Sequence, residues 1–283
     1  MAVRFLGQFL LERGVITPEQ LHAATTAQRA CNPLLGELAV REGLLDAAQA
    51  QRINERQRSD DRRFGDIAME LGLLQPAQVE ALLARQKAAR RLLGEILVEQ
   101  GAIDPVRLQA ELAAHHADQD AASRALAVGV ADHALAEFAN GVIALCARLF
   151  PRLLDSHCQA AGLADAATLA ACPYVAHVQL EGEQPLFVGL ACDRDTMHAM
   201  ARAFLRIGPE RCTDALALDG LGEIASVLAG YALRQVLPDD SRYLPDLPDA
   251  STPAGALVAD RDRSLAVLMN AQTGPFVLLL GTA

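Results

Sequence analysis

The sequence predicts two dissimilar folds in one chain: an α-helical repeat region over residues 1–118, then an α+β domain over residues 130–283. Three observations carry this reading. Glycines recur 29 residues apart at Gly7, Gly36, Gly65 and Gly94. That register stops near residue 116. Beyond it, short runs with strand character alternate with helical runs and no period is kept.

The register is deeper than the glycines. Seven residues after each stands another glycine: Gly14, Gly43, Gly72 and Gly101. Nine after each is an aliphatic residue: Ile16, Leu45, Leu74 and Ile103. Twenty-one after come Gln28, Gln57, Gln86 and then His115. Four 29-residue units of two helices each account for this pattern. The first helix of a unit is about seven residues, as in GQFLLER, and the glycine after it suits the left-handed position that ends a helix. The second helix starts at Thr17, Asp46, Gln75 or Asp104, with Gln20 and Gln49 at the capping-box spacing from the first two of these. Pro18, Pro76 and Pro105 sit where a first-turn proline is tolerated. Helices this short cannot bury an apolar face alone, so the units must pack on one another.

After residue 116 the chain changes character. Residues 119–129 are Ala-rich with few large apolar side chains and read as a linker or a connecting helix. Residues 131–150 carry Leu135, Phe138, Val142, Leu145 and Leu149 at helical spacing. Tyr174–Leu180 and Pro185–Cys192 read as strands around a Glu-Gly-Glu turn. Helices are expected over 194–206 and 214–236, and a loop rich in proline and aspartate over 238–254. The end reads as two strands around Gln272-Thr273-Gly274. This order predicts a sheet with helices on one side.

Composition narrows the function. Hydrophobic residues make up 52% and aromatic residues 4%, so the cores are built of Leu, Ala and Val. No apolar run approaches the ~18 residues of a membrane span, and the N-terminal stretch lacks the features of a signal peptide. Net charge is −10. Residues 1–118 hold 14 basic and 16 acidic side chains, and residues 119–283 hold 11 and 19. That balance argues against DNA as a partner of the second part. An arginine-rich stretch at Arg52, Arg56, Arg58, Arg62 and Arg63 reads as a solvated helix end. The six cysteines contain no CxxC and the seven histidines no HExxH, so neither a metal site nor a required cofactor is expected. Cysteines used this way suit a reducing compartment, and the expected location is cytoplasmic.

The repeat pattern LGxxLLxxGxIxxxxLxxxxxxQ resembles the MshEN domain, found at the N-termini of type II secretion and type IV pilus ATPases. The resemblance covers residues 4–116, enough for two tandem domains of that kind. It implies a ligand, because in that family two such motifs with a short spacer form one site for cyclic di-GMP. The family's motif carries arginine two residues before the first glycine. Only the third unit keeps it, as Arg63; the others have Phe5, Leu34 and Leu92 there, with Arg4 and Arg91 one position earlier. A guanidinium can donate two parallel hydrogen bonds to guanine O6 and N7, or stack on the base. The site implied is Arg63, Gly65 and Gln86 of the third unit with Arg91 and Gly94 of the fourth. The alternative left open is that these glycines serve helix packing alone.

In the second part, LFVGLACDRDTMHAMARAFL followed by LDGLGEIASVLAGYAL resembles the CheC/CheX/FliY phosphatases of chemotaxis signalling. The resemblance covers roughly residues 130–283. Those proteins carry a helix bearing D/S-x-x-x-E-x-x-N and hydrolyse the aspartyl phosphate of response regulators. Their Glu pairs with a lysine of the regulator, and their Asn positions the attacking water. Here Asp219, Glu223 and Ser226 occupy the three positions, so the amide is replaced by a hydroxyl of shorter reach. A second pair, Glu137 and Asn140, is intact on the domain's first helix. The resemblance implies a signalling adaptor linking a cyclic di-GMP-sensing type of module to a domain that binds response regulators, with impaired catalysis. The alternative is an active phosphatase regulated by cyclic di-GMP. The partner implied is a response regulator or a component of a pilus or secretion system, with oligomerisation left open.

Overall fold

The computed structural model describes residues 5–59, 62–238 and 243–282. The chain forms two compact units, Phe5–His116 and a second one from Ala117 onward.

In the first unit, short helices alternate with longer ones. The short ones are α1 (Leu6–Glu12), α3 (Leu35–Arg41), α5 (Phe64–Glu70) and α7 (Leu93–Glu99). The longer ones are α2 (Pro18–Cys31), α4 (Ala47–Ser59), α6 (Pro76–Ala89) and the first part of α8 (Pro105–Ala131), which continues past His116. After each short helix a glycine turns the chain at positive φ: Gly14 at 63°, Gly43 at 70°, Gly72 at 67° and Gly101 at 68°. Two of the longer helices start with reciprocal caps. Gln20 N–H donates to Thr17 Oγ1 at 3.3 Å while Thr17 N–H donates to Gln20 Oε1 at 2.8 Å. Asp46 and Gln49 make the same exchange at 2.7 and 2.9 Å. Such a cap is worth ~1 kcal/mol.

Packing does not follow chain order. The second and third two-helix segments share a core that includes Leu38, Ile53, Ile67 and Leu82. The first and fourth share another, with Leu10, Ala24, Leu97 and Leu108. Ion pairs follow the same division: Arg85 with Glu42 and Arg13 with Glu111, each at 2.7 Å. The pairing is therefore nested, second with third and first with fourth. The residue before each later glycine explains it. A Cβ on Gly36 would lie 2.8 Å from the Phe64 ring, and one on Gly7 would lie 2.5 Å from Leu21 Cδ1 of its own segment and 3.2 Å from Leu93 Cδ2. The stretch 119–129 is part of α8, so it is helix rather than irregular linker.

The second unit contains α9 (Ala136–Leu153), β1 (Cys158–Leu163), α10 (Ala166–Ala170), β2 (Tyr174–Glu181), β3 (Leu186–Cys192) and α11 (Arg194–Leu205). It continues with α12 (Asp214–Gln235), β4 (Leu244–Pro245), α13 (Ala254–Leu257), β5 (Ser264–Ala271) and β6 (Gly274–Thr282). The strands form one antiparallel sheet in the order β1-β5-β6-β3-β2-β4. Two halves of like topology are visible in this order. Long helix, strand, short helix and hairpin occur as α9-β1-α10-β2-β3 and again as α12-β4-α13-β5-β6. Exchanging the halves reverses the strand order onto itself, and each half lends its first strand to the other's hairpin.

One sheet face packs against α9, α11 and α12. Its core includes Phe150 stacked on Phe276, with ring centres 5.0 Å apart. The expectation of helices on one side only is corrected, because the other face is covered too. Around α10 and α13 lie Cys172, Val175, Phe187, Val258, Val277 and Leu279. The reason is in the strand itself: β3 reads LFVGLAC, every residue of it is buried, and none is polar. Among the described residues, α12 is the one helix long and apolar enough by composition to cross a membrane, and 56% of that window is buried inside the protein.

Candidate functional site

Helix α12 begins at Thr213, whose hydroxyl accepts from Leu216 N–H at 3.3 Å. Its first turn is tied to α11. Asp214 accepts from Arg194 at 2.6 and 3.1 Å and lies 2.6 Å from His198 Nε2. The Arg194 hydrogen bonds, then His198, hold the Asp214 carboxyl below its ordinary value. The helix buries Leu221, Ile224, Ala225, Leu228 and Ala232. That leaves Asp219 and Glu223 exposed and Ser226 half-buried on the opposite side. Residues three and four apart share a helix face, so the three side chains present together.

Helix α9 repeats the arrangement. It buries Phe138, Ala139, Val142, Leu145 and Leu149 and leaves Glu137 and Asn140 exposed. The two pairs are equivalently placed: Glu137 lies 21 residues before Cys158, the start of β1, and Glu223 lies 21 residues before Leu244, the start of β4. Each helix keeps part of D/S-x-x-x-E-x-x-N. On α12 the last position is Ser226; on α9 the last position is Asn140 but the first is His133. The His133 ring is occupied, accepting from Leu135 N–H at Nδ1 and meeting the Arg261 carbonyl with Nε2, both at 3.0 Å. Neither Glu137 nor Glu223 has an ion-pair partner among the described residues.

One neighbour of the α12 face is invisible to motif reading. The segment 243–249 folds back beside it, with Pro248 at 3.4 Å from where a Cβ of Gly222 would be. Three backbone bonds and one from a side chain brace this segment. His177 and Asp249 exchange two, at 2.9 and 2.8 Å, and Asp246 N–H donates to the Gln179 carbonyl at 2.9 Å. The fourth is the His177 ring, buried at 2% exposure, whose Nδ1 lies 3.1 Å from the Asp249 carbonyl. Leu244 and Leu247 project outward at 72% and 83% exposure. Their signal in the sequence is a repeated tripeptide, Leu-Pro-Asp at 244–246 and again at 247–249.

Of the five residues implied as a nucleotide site, Gln86 and Arg91 bond adjacent residues of one stretch, Pro33 and Asn32. Gln86 donates to the Pro33 carbonyl at 3.0 Å, next to the second short helix. Arg91 lies with the first segment: its N–H donates to Asn32 Oδ1 at 2.7 Å, and its carbonyl accepts from Gln28 and Asn32. The Arg91 guanidinium is paired with Glu99, which raises its pKa and lowers that of Glu99. Gly65 and Gly94 are packing positions, where an added Cβ would lie 2.6 Å from Val79 Cγ1 and 3.0 Å from Leu108 Cδ2. Arg63, the N-cap residue of α5, is exposed. Arg56 and Arg62 both pair with Glu70. Arg4 and the side chain of Arg58 lie outside the described residues. Among the described residues no cluster of His, Cys, Asp and Glu could hold a metal ion.

No family model matches the chain, and no curated protein sequence does. Solved structures match about half of it. The chemotaxis protein CheX from Desulfovibrio desulfuricans is similar at 12% identity and a TM-score of 0.39, covering 53% of this chain and 98% of that one. CheX from Vibrio vulnificus is similar at 14% identity and a TM-score of 0.43, covering 54% of this chain and all of the other. The CheX–CheY–BeF3–Mg2+ complex from Borrelia burgdorferi matches at 11% identity and a TM-score of 0.40, covering 52% and 95%.

Proposed function

We propose that this chain is a signalling adaptor whose α+β unit docks the receiver domain of a phosphorylated response regulator, with catalysis impaired on α12. The observation that carries the reading is the outward face of that helix. Exposed Glu223, unpaired within the described chain, stands one turn from Ser226. The carboxylate can hold a lysine of a partner. The serine hydroxyl is too short to reproduce the reach of an amide toward an attacking water. Hydrolysis of a phosphoryl group depends on positioning, so docking outlasts turnover when the amide is lost.

A second reading, an active phosphatase, is favoured by Glu137 and Asn140, an intact pair equally exposed on the equivalent helix.

For the helical unit, four of the five residues implied for cyclic di-GMP already make contacts within the unit. Packing takes Gly65 and Gly94, and bonds within the unit take Gln86 and Arg91. The role that suits this unit is an interaction module, for which a pilus or secretion component is one class of partner. Any affinity for cyclic di-GMP would run through Arg63. Calorimetry on the full chain with and without Arg63→Ala checks this, with a loss of tenfold or more expected from removing a bidentate base contact.

The docking reading is tested by titrating the full chain with purified receiver domains from the same organism, each with and without beryllofluoride and Mg2+. Binding of a charged receiver that Glu223→Lys abolishes is the expected result. If no receiver binds in either state, the reading is wrong.

A further inference from the structure

We infer that the braced segment beside α12, with Leu244 and Leu247 at its crest, is the docking ridge for that receiver and sets which half of the domain the partner meets. The inference rests on the adaptor reading above and deepens it.

The two halves of the α+β unit agree in topology and differ here. In the half led by α9, the residue 21 positions after Glu137 is Cys158, and three further on is Ala161; both are buried, at 7% and 4% exposure. In the half led by α12 the same positions are Leu244 and Leu247, at 72% and 83% exposure. Two leucines therefore face solvent where the equivalent positions are core. They do so on backbone that cannot sag. Pro245 and Pro248 fix φ, and the bonds from His177, Gln179 and Asp249 anchor the segment to β2. A preorganised apolar crest loses little freedom when covered, which is what a recognition element requires.

Charge defines what covers it. Asp219 and Glu223 on α12 and Asp246 on the segment are exposed, so the segment and the helix it packs on carry exposed carboxylates. The complementary surface is apolar with a basic side chain at its edge. The lysine that the docking reading assigns to Glu223 meets that description. A receiver placed so that its lysine reaches Glu223 would lay its neighbouring surface on Leu244 and Leu247, because Pro248 packs on Gly222, the residue before Glu223. The half that has lost the asparagine is thus the half built to hold the partner.

The test uses the full chain, a beryllofluoride-charged receiver domain that binds the wild type, and the double variant Leu244→Asp/Leu247→Asp. Both positions are exposed, so the variant is expected to fold, and its circular dichroism melt is compared with wild type. Apolar anchors at the centre of an interface carry much of its energy, so affinity should fall at least tenfold. Leu244→Met/Leu247→Met, which keeps the apolar character, should stay within about threefold if the loss is one of contact rather than fold. Affinity of the aspartate variant within twofold of wild type overturns the ridge while leaving the adaptor reading standing. A wild type that binds no receiver overturns both. Light scattering on the same proteins covers the other occupant: a wild-type dimer that becomes monomeric in the aspartate variant, with receiver binding unchanged, assigns the ridge to self-association and overturns the inference.

Discussion

Gln86 donates its side-chain N–H to the carbonyl of Pro33 at 3.0 Å, joining two segments 53 residues apart. The same bond is made by Gln57 to the Arg62 carbonyl at 3.0 Å and by Gln28 to the Arg91 carbonyl at 3.2 Å. Each acceptor stands three residues before a register glycine. The glutamine of the repeat is thus a clamp on the chain entering a short helix of the paired segment. Gln28 and Gln86 are partly buried in these bonds. Gln86→Ala is expected to cost about 1 kcal/mol, the typical net worth of such a bond. Gln57→Ala, at an exposed bond, should cost less. Thermal melts of the two variants against wild type check the order; equal melting temperatures in all three would mean the clamp adds nothing.

Two glycine substitutions should move stability in opposite directions. Gly72 holds φ at 67° with open space around it, so alanine there is strained by conformation alone, at ~1–2 kcal/mol. Gly230 lies inside α12, and a Cβ there would meet nothing within 4 Å. Gly230→Ala should stabilise by ~0.5–1 kcal/mol, because alanine loses less freedom in a helix. Chemical denaturation of both proteins reads the signs directly.

The period of 29 made the helical elements legible, since it recurs in chemistry with a fixed backbone meaning: glycine where φ is positive, a capping residue ten positions into each unit. The nested pairing was not legible. It depends on which side chain fills the space over Gly36, and Phe64 is 28 residues along the chain from the glycine it covers. In the second unit, the hairpin strands and α11 and α12 were readable from their apolar patterns. Strand β1 was missed because CQAAGL is poor in branched and aromatic residues and breaks register between Ala160 and Gly162. The outward placement of Glu137, Asn140, Glu223 and Ser226 followed from helical spacing. The ridge at Leu244 and Leu247 did not, since a segment of Pro and Asp reads as loop until its hydrogen bonds are known.

The cysteines give a prediction in two parts. Cys31 is exposed and the other five are buried. Under native conditions a thiol reagent should therefore label one site quickly and the rest only on unfolding. Burial pushes Cys158 up to about 12 and, with a contribution from Asp193, Cys172 up to about 11, from an ordinary thiol value of 9.0. Below pH 9 these thiols are neutral in folded and unfolded chains alike, and their contribution is fully present. Above it the unfolded chain ionises first, so unfolding releases protons and stability falls as pH rises toward the folded values. Denaturation midpoints that stay level from pH 8.5 to 10.5 would contradict that sign.

The last prediction separates the two readings of the α+β unit by its chemistry. Asn140 is exposed on α9 beside Glu137, whereas Ser226 stands where the α12 motif calls for an amide. An amide can both donate to and accept from a water several bonds from the backbone; a serine hydroxyl ends close to it. If the unit hydrolyses an aspartyl phosphate, turnover should therefore run through Glu137 and Asn140. The assay follows phosphate release from a phosphorylated response regulator of the same cell, using wild type, Asn140→Ala, Ser226→Asn and Ser226→Ala. The adaptor reading expects wild type to match the regulator's own decay, and expects Ser226→Asn to gain activity if the ridge still docks the partner. The phosphatase reading expects wild-type release that Asn140→Ala abolishes, a loss of about 10²-fold or more being usual when a positioning group is removed. Strong wild-type activity that survives Asn140→Ala and disappears in Ser226→Ala would defeat both assignments, because a serine at the shorter reach would then be holding the water.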